Sequence, residues 1–326
     1  MRTAVVGLGL IGGSLLRALA GAGHEVTGFD ADPATREAAR AAGFRVADSV
    51  PGAAAGAEVT ALAVPLPVLP EVIAQLAGAG GLVTDVTSVK APVRELMSAH
   101  RVTRFVGGHP MAGRETSGFA ASDPDLFTGC AWVLCLEPAT DLGDWLTLAR
   151  FCTGLGARVV PATADEHDAA VAKISHVPHL FAAVLAAQIA TDPLAGALGA
   201  GSFRDGTRVA ATRAELTAAM CGGNAGPVRE QLRRLIDELA EMSGALESDR
   251  LVTLLRPGEQ ARRSWPATSG APEKLPVEAA DAAALLELGR AGGWVTSVSD
   301  TELVAMRPES DRKDSGRAWT ARPRTR

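Results

Sequence analysis

Cysteine is scarce in this chain of 326 residues. The four present, Cys130, Cys135, Cys152 and Cys221, have neither the spacing of a metal site nor the density of a disulfide framework. They are expected to be free or buried thiols of a reducing cytoplasm. The chain as a whole also lacks the basic excess of a general nucleic-acid binder: 32 Lys and Arg stand against 37 Asp and Glu, a net charge of −5. No apolar run reaches the roughly 20 residues needed to span a bilayer. The opening "MRTAVVGLGLIGGSLL" is broken by glycines in a way that a secretory leader is not. No internal repeat is found. The expectation is a cytoplasmic protein with no nucleic-acid, membrane or metal partner. What is abundant is apolar residue, 47% of the chain, and the length suits two domains.

The first half alternates. "TAVVGLGLIGGSLLRALAGAGHEVTGFD" reads as strand, tight turn, helix and strand. Gly7, Gly9 and Gly12 form G-x-G-x-x-G at the turn. Gly7 permits the turn, Gly9 lets a pyrophosphate approach the backbone, and Gly12 lets the helix pack on the strand. The helix start, with Leu10 and Ile11 in its first turn, offers N–H groups to phosphates. Asp30 ends the second strand, where it would accept the adenine-ribose hydroxyls and repel a 2′-phosphate, favouring NAD over NADP. Arg36 is the nearest cation in sequence. Further strands end at "AVPL", which places Val64 and Pro65 on the cofactor edge, at "TDVTSVK" and at "GGHP". The fold expected is α/β, a doubly wound parallel sheet of the Rossmann type over residues 1–164.

"GGHPMAGRETSG", residues 107–118, has neither helical nor strand period, so His109 is expected on a glycine-lined turn at the rim of that sheet. From about Ala164 the alternation gives way to long helical patterns. In one of them Val228, Leu232, Leu235, Ile236, Leu239 and Met242 form an apolar stripe suited to a partner helix. Residues 165–256 are therefore expected to be an all-α domain. Residues 257–326 read as a linker and an extension, with a candidate helix and two short strands, a disordered basic tail, and too little apolar content to bury much core.

Taken in order, "GLGLIGGS", "TDVTSVK", "GGHPMAGRETSG", "EHDAAVAKISHVPH" and "FRDGTRVA" resemble the prephenate/arogenate dehydrogenase family, from Met1 to about Leu255. The resemblance implies NAD-dependent oxidative decarboxylation of prephenate to 4-hydroxyphenylpyruvate, in tyrosine biosynthesis, by a homodimer formed through the helical domain. Carried over by motif, His109 is the base that accepts the proton of the ring 4-hydroxyl, and Ser88 orients it. Arg208 grips a substrate carboxylate, with Arg204 as the competing residue. His179 and Ser175 contact the substrate, Glu115 lies near the entrance, and His167 with Asp168 forms a supporting network. His179 and Arg208 would complete a site opened by the first domain. The family's usual Ser-Asp-Pro and tryptophan after T-R-I-A are replaced here by "ATRAELTAAM", with Arg213 and Leu216 in that stretch. That change alters one pocket wall and keeps arogenate and 4-amino-4-deoxyprephenate as alternative substrates. A β-hydroxyacid dehydrogenase or imine reductase with Lys173 as donor would leave the H-P-M-A-G stretch unexplained. A non-catalytic dinucleotide sensor would not need His109, Ser88 and Arg208 together.

Overall fold

A computed structural model describes residues 1–76, 80–114 and 116–309. Strands and helices alternate through the first part: β1 (Arg2–Val6), α1 (Leu10–Gly21), β2 (Glu25–Phe29), α2 (Pro33–Ala41), β3 (Arg45–Val46), α3 (Val50–Ala54), β4 (Val59–Leu62), α4 (Leu69–Gln75), β5 (Leu82–Asp85), α5 (Ala91–Ala99) and β6 (Phe105–Val106). Every residue of β4 and β5 is buried, as a strand covered on both faces requires. All pairings are parallel, in the order β3-β2-β1-β4-β5-β6. The order reverses between β1 and β4, the point where such sheets bind ligands beyond their strand ends.

The expected strand ending at "GGHP" is two strands in two sheets. β6 closes the parallel sheet at Val106, and after Gly107 the chain enters β7 (Gly108–Pro110). His109 therefore lies on a short edge strand opposite Val133, which corrects the expectation of a turn. The second sheet continues through β8 (Ala131–Cys135), α6 (Leu142–Gly154) and β9 (Arg158–Ala162). α7 (Ala164–Val171) follows, then a π-helical turn over Ala172–His176 and α8 (Val177–Ala187). After it come α9 (Pro193–Leu198), α10 (Gly201–Thr207), α11 (Ala214–Gly223), α12 (Ala225–Gly244) and α13 (Arg250–Arg263). The last described elements are β10 (Glu273–Pro276), α14 (Ala282–Arg290), β11 (Trp294–Val298) and β12 (Glu302–Met306).

The chain divides into two units: Met1–His167 with the described residues from Ser269 on, and Asp168–Thr268. In the first unit the late strands join β9, giving a mixed sheet ordered β10-β12-β11-β9-β8-β7. Leu285, Leu288, Val295, Leu303 and Ala305 are fully buried in the same core cluster as Leu15, Trp132 and Trp145. The expectation that residues after 256 bury little core is thus corrected. Alternating inward residues on β12 and a helical pair on α14 supply apolar surface that bulk composition conceals. The basic tail expected to be disordered starts at Arg307, but the Arg307 carbonyl accepts the Gly270 N–H at 2.8 Å and Pro308 bridges to Ser269; the rest of the tail, residues 310–326, lies outside the described residues.

In the second unit the π-helical turn sits directly before Pro178. Proline has no N–H to return to the Ile174 carbonyl, so the helix widens there. Ala172, Val177 and Val228 form its buried core, with Leu180, Phe181, Leu232 and Leu235 packed around them. Two residues of the α12 stripe, Ile236 and Leu239, face outward, and Met242 is half-buried. By length and composition alone the helical run Ala164–Ala190 could cross a bilayer, contrary to expectation. It carries Asp165, Glu166, Asp168 and Lys173, however, and its His167 and His176 are buried in protein.

Leu303 tests the contribution of the late strands. Its side chain is fully buried, so Leu303→Ala is expected to cost about 2–5 kcal/mol in urea unfolding. A chain ending at Thr268 is expected to show a lower melting temperature and to aggregate. An unchanged unfolding midpoint for both would show the late strands to be an appendage.

Candidate active site

The glycine-rich turn joins β1 to α1. Gly7 has φ +93°, and a Cβ at Gly12 would lie 1.8 Å from the Gly7 carbonyl oxygen, so helix and strand meet only because that atom is missing. Above Gly9 a Cβ would meet nothing within 4 Å, which leaves the backbone open to a phosphate group. Asp30 braces this turn. Its carboxylate accepts the Leu8 N–H at 2.6 Å and the Asp32 N–H at 2.9 Å. Val64, half-buried at the end of β4, lies against Gly7, and Pro65 beside it is exposed. Leu10 and Ile11 occupy the first turn of α1. The structure thus brings the predicted cofactor residues together around one open cradle at the switch point, and the cradle fits a dinucleotide.

Asp85 ends β5, and Lys90 follows on the loop before α5. Both are buried, with side chains 0% and 1% exposed. The Lys90 ammonium donates to the Asp85 carboxylate, to the Thr87 hydroxyl at 3.1 Å and to the Gly108 carbonyl at 2.6 Å. The Gly108 N–H in turn donates to Asp85 Oδ1 at 3.2 Å. One residue of β7 is therefore clamped through both of its peptide groups. No side chain fits there: a Cβ on Gly108 would lie 2.7 Å from the Asp85 carbonyl oxygen and 3.1 Å from Trp132 Nε1. Ser88 sits half-buried on the same loop, two residues before Lys90, the N-cap of α5.

His109 is next along β7. Its Nδ1 lies 2.8 Å from His167 Nε2, with the two rings 72° apart. His167 is 2% exposed on α7. The start of that helix is held by Glu166, which accepts the Thr163 N–H and hydroxyl, and by Glu137, which accepts the Ala164 N–H at 2.6 Å. Burial pushes the Glu166 carboxyl up, but the Thr163 backbone and the Arg290 guanidinium outweigh it and leave its pKa below the ordinary value. Thiolate formation is disfavoured at three of the four cysteines. Burial pushes Cys130 up to about 11 and raises Cys152 and Cys221 as well. Among the described residues no group of His, Cys, Asp and Glu is arranged to hold a metal ion.

The remaining predicted residues lie in the second unit. Ser175 is in the π-helical turn, and His179 Nδ1 is 2.8 Å from the Ser175 carbonyl, which fixes that nitrogen as the donor. Arg208 opens a short 3-10 turn that packs on α8, the helix carrying His179. His176 is fully buried, and Asn224 links it to the Asp168 carbonyl through contacts of 3.1 and 2.7 Å. Glu115 lies outside the described residues. Three positions were not singled out from sequence: Asp85, Lys90 and Asn224. The first two left a trace, two opposite charges five residues apart at the end of an apolar strand. Asn224 left none.

An open dinucleotide cradle at the switch point of a parallel sheet is the mark of a nucleotide-dependent oxidoreductase fold. Comparison with known proteins narrows the class. The prephenate dehydrogenase nucleotide-binding domain matches residues 13–161, and the prephenate dehydrogenase dimerization domain matches residues 163–257. A prephenate dehydrogenase of Lactococcus lactis is 30% identical over 82% of this chain and 78% of its own. The structure of Synechocystis arogenate dehydrogenase is similar at 28% identity and a TM-score of 0.72, covering 81% of this chain and 100% of that one. Prephenate dehydrogenase from Aquifex aeolicus, solved with hydroxyphenyl propionate and NAD+, is 25% identical with a TM-score of 0.75, over 81% and 98%. The chain belongs to the prephenate dehydrogenase family.

The buried pair beneath His109 makes a stability prediction. Lys90→Met leaves Asp85 charged and unpaired, which is expected to cost about 3–5 kcal/mol. The double variant Asp85→Leu with Lys90→Met removes both charges and is expected to recover much of that loss in urea unfolding. Equal losses in the single and double variants would show that packing, not charge, is at stake.

Proposed function

We propose that this NAD-dependent oxidoreductase oxidises and decarboxylates prephenate to 4-hydroxyphenylpyruvate. The observation that carries the reading is an imidazole pair on a strand clamped to the end of β5 in the nucleotide-binding unit. NAD, when bound, supplies the hydride acceptor. His109 takes the proton of the ring 4-hydroxyl, and an imidazole suits that task because its ordinary pKa lies near neutral pH. Ser88 supports that hydroxyl. Asp30 excludes a 2′-phosphate, and Arg36 does not offset it, because its guanidinium is turned onto the carbonyls of Asp30 and Ala31 at 2.7 and 3.0 Å. Arg208 takes a substrate carboxylate through its guanidinium fork, with His179 and Ser175 as further substrate contacts.

The family's dimerization domain supports a homodimer, and the exposed apolar residues Ile236, Leu239, Val252 and Leu255 of the helical unit fit that role. We place the protein in the cytoplasm. The Synechocystis relative is an arogenate enzyme, and the stretch after Arg208 departs from the family pattern, with Arg213 turned to Glu215 at 3.7 Å. That departure favours arogenate or 4-amino-4-deoxyprephenate as the second reading.

Absorbance at 340 nm with NAD and each of the three substrates decides between them, and no signal with any would overturn the proposal. His109→Asn is expected to lower kcat by about 10²–10⁴-fold with KM within a few-fold, since general-base assistance is worth that much. Arg208→Ala is expected to raise KM far more than it lowers kcat, by about 2–4 kcal/mol of lost binding. A large effect of Arg204→Ala instead would move the carboxylate contact to that residue.

A further inference from the structure

We infer that His167 is a positioning residue that sets which nitrogen of His109 carries the proton, and so makes His109 a base. The inference rests on the proposed role of His109. The bond between His109 Nδ1 and His167 Nε2, at 2.8 Å, holds a single proton when both rings are neutral. If His167 donates, the remaining proton of His109 sits on Nε2, and that nitrogen has no lone pair for the substrate hydroxyl. If His109 donates, Nε2 carries the lone pair and His167 is the acceptor. Only the second arrangement accepts a proton. It also suits the protonated state: once the hydroxyl proton arrives at Nε2, His109 is a cation with N–H on both nitrogens, and its Nδ1–H needs an acceptor. His167 thereby performs, as a neutral ring, the orienting task that a carboxylate performs in hydrolase triads.

The fold holds both rings to this geometry. His109 follows the clamped Gly108, and the backbone N–H of His167 donates to the Thr163 carbonyl at 2.9 Å in the braced first turn of α7. Several charged groups on the elements that carry the pair make ion pairs of their own. Asp85 and Lys90 bond each other beneath Gly108. Asp165 pairs with Arg94 at 3.1 Å, and Arg94 also faces Glu137 at 3.6 Å. Glu166 pairs with Arg290 at 2.6 Å. Asp168 is next along the helix, and the Cys135 thiol lies against Gly107. The acid limb of the rate profile then belongs to the two rings as one titrating unit.

The test uses the full chain with NAD and the substrate that gives the 340 nm signal. His167→Ala is expected to lower kcat by about 10²-fold or more, short of the ~10⁴-fold of a triad left in the wrong tautomer, with KM little changed. His167→Gln places an acceptor oxygen at a similar reach and is expected to recover much of the rate. His167→Glu is expected to move the acid limb to higher pH, because a carboxylate favours the cationic ring. Nitrogen-15 spectra of histidine-labelled protein are expected to show the His109 proton on Nδ1, and to show it moving to Nε2 in His167→Ala. If His109→Asn is inactive while His167→Ala keeps the wild-type rate and acid limb, the inference falls and the proposed function stands. If His109→Asn is active, the proposed function falls. Should the His167 variants not fold, a wild-type His109 proton on Nε2 overturns the inference by itself.

Discussion

The clamp on Gly108 is the constraint from which the first unit's geometry derives. A buried ammonium and a buried carboxylate are costly to place in a core and seldom stabilise it over well-packed apolar groups. Here the pair is tolerated because it bonds within the loop and to both peptide groups of Gly108 on β7. That residue lies where the chain leaves the parallel sheet and begins the second one. The two sheets are thereby tied at their junction, and the next residue, His109, inherits a fixed position. Trp132 packs against the same glycine, so the contact has no room for a side chain.

The second sheet depends on residues far apart in sequence. After β7 to β9 the chain passes through the whole helical unit before β11 returns to pair with β9. Without that return β9 would be an edge strand, with unpaired backbone groups and the apolar surface of α6 uncovered. α6 receives the late strands through Arg150, whose guanidinium bonds the carbonyls of Val298 and Ser299 at 3.2 and 2.7 Å. Arg290 on α14 bonds Glu166 at the start of α7, the helix that carries His167. The late segment is thus connected by direct contact to the helix that carries His167, one ring of the imidazole pair.

Within the helical unit the polar interior is small and specific. Asn224 bridges the Asp168 carbonyl and His176, two points on either side of the π-helical turn. The bridge spans the helix where Pro178 has removed a backbone donor. A widened turn held by a side-chain amide is a stable local solution, and it sets the spacing of Ser175 and His179.

Much of this was legible in the sequence by itself. G-x-G-x-x-G after a strand, with an acidic residue ending the next strand, specified the cradle, because local turn geometry and helix–strand contact depend on residues close in sequence. The alternation of apolar strands and helices specified the parallel sheet for the same reason. The ordered motifs pointed to the family. What only the tertiary structure decided were relations between distant residues. His109 lies on a strand because Gly108 is held by Asp85 and Lys90. His167 faces it from 58 positions away. Residues 273–306 enter the core because β9 offers an open edge. Hydrogen bonds and packing formed across such separations leave no period in the sequence, and a buried charge is written there with the same letter as a solvated one.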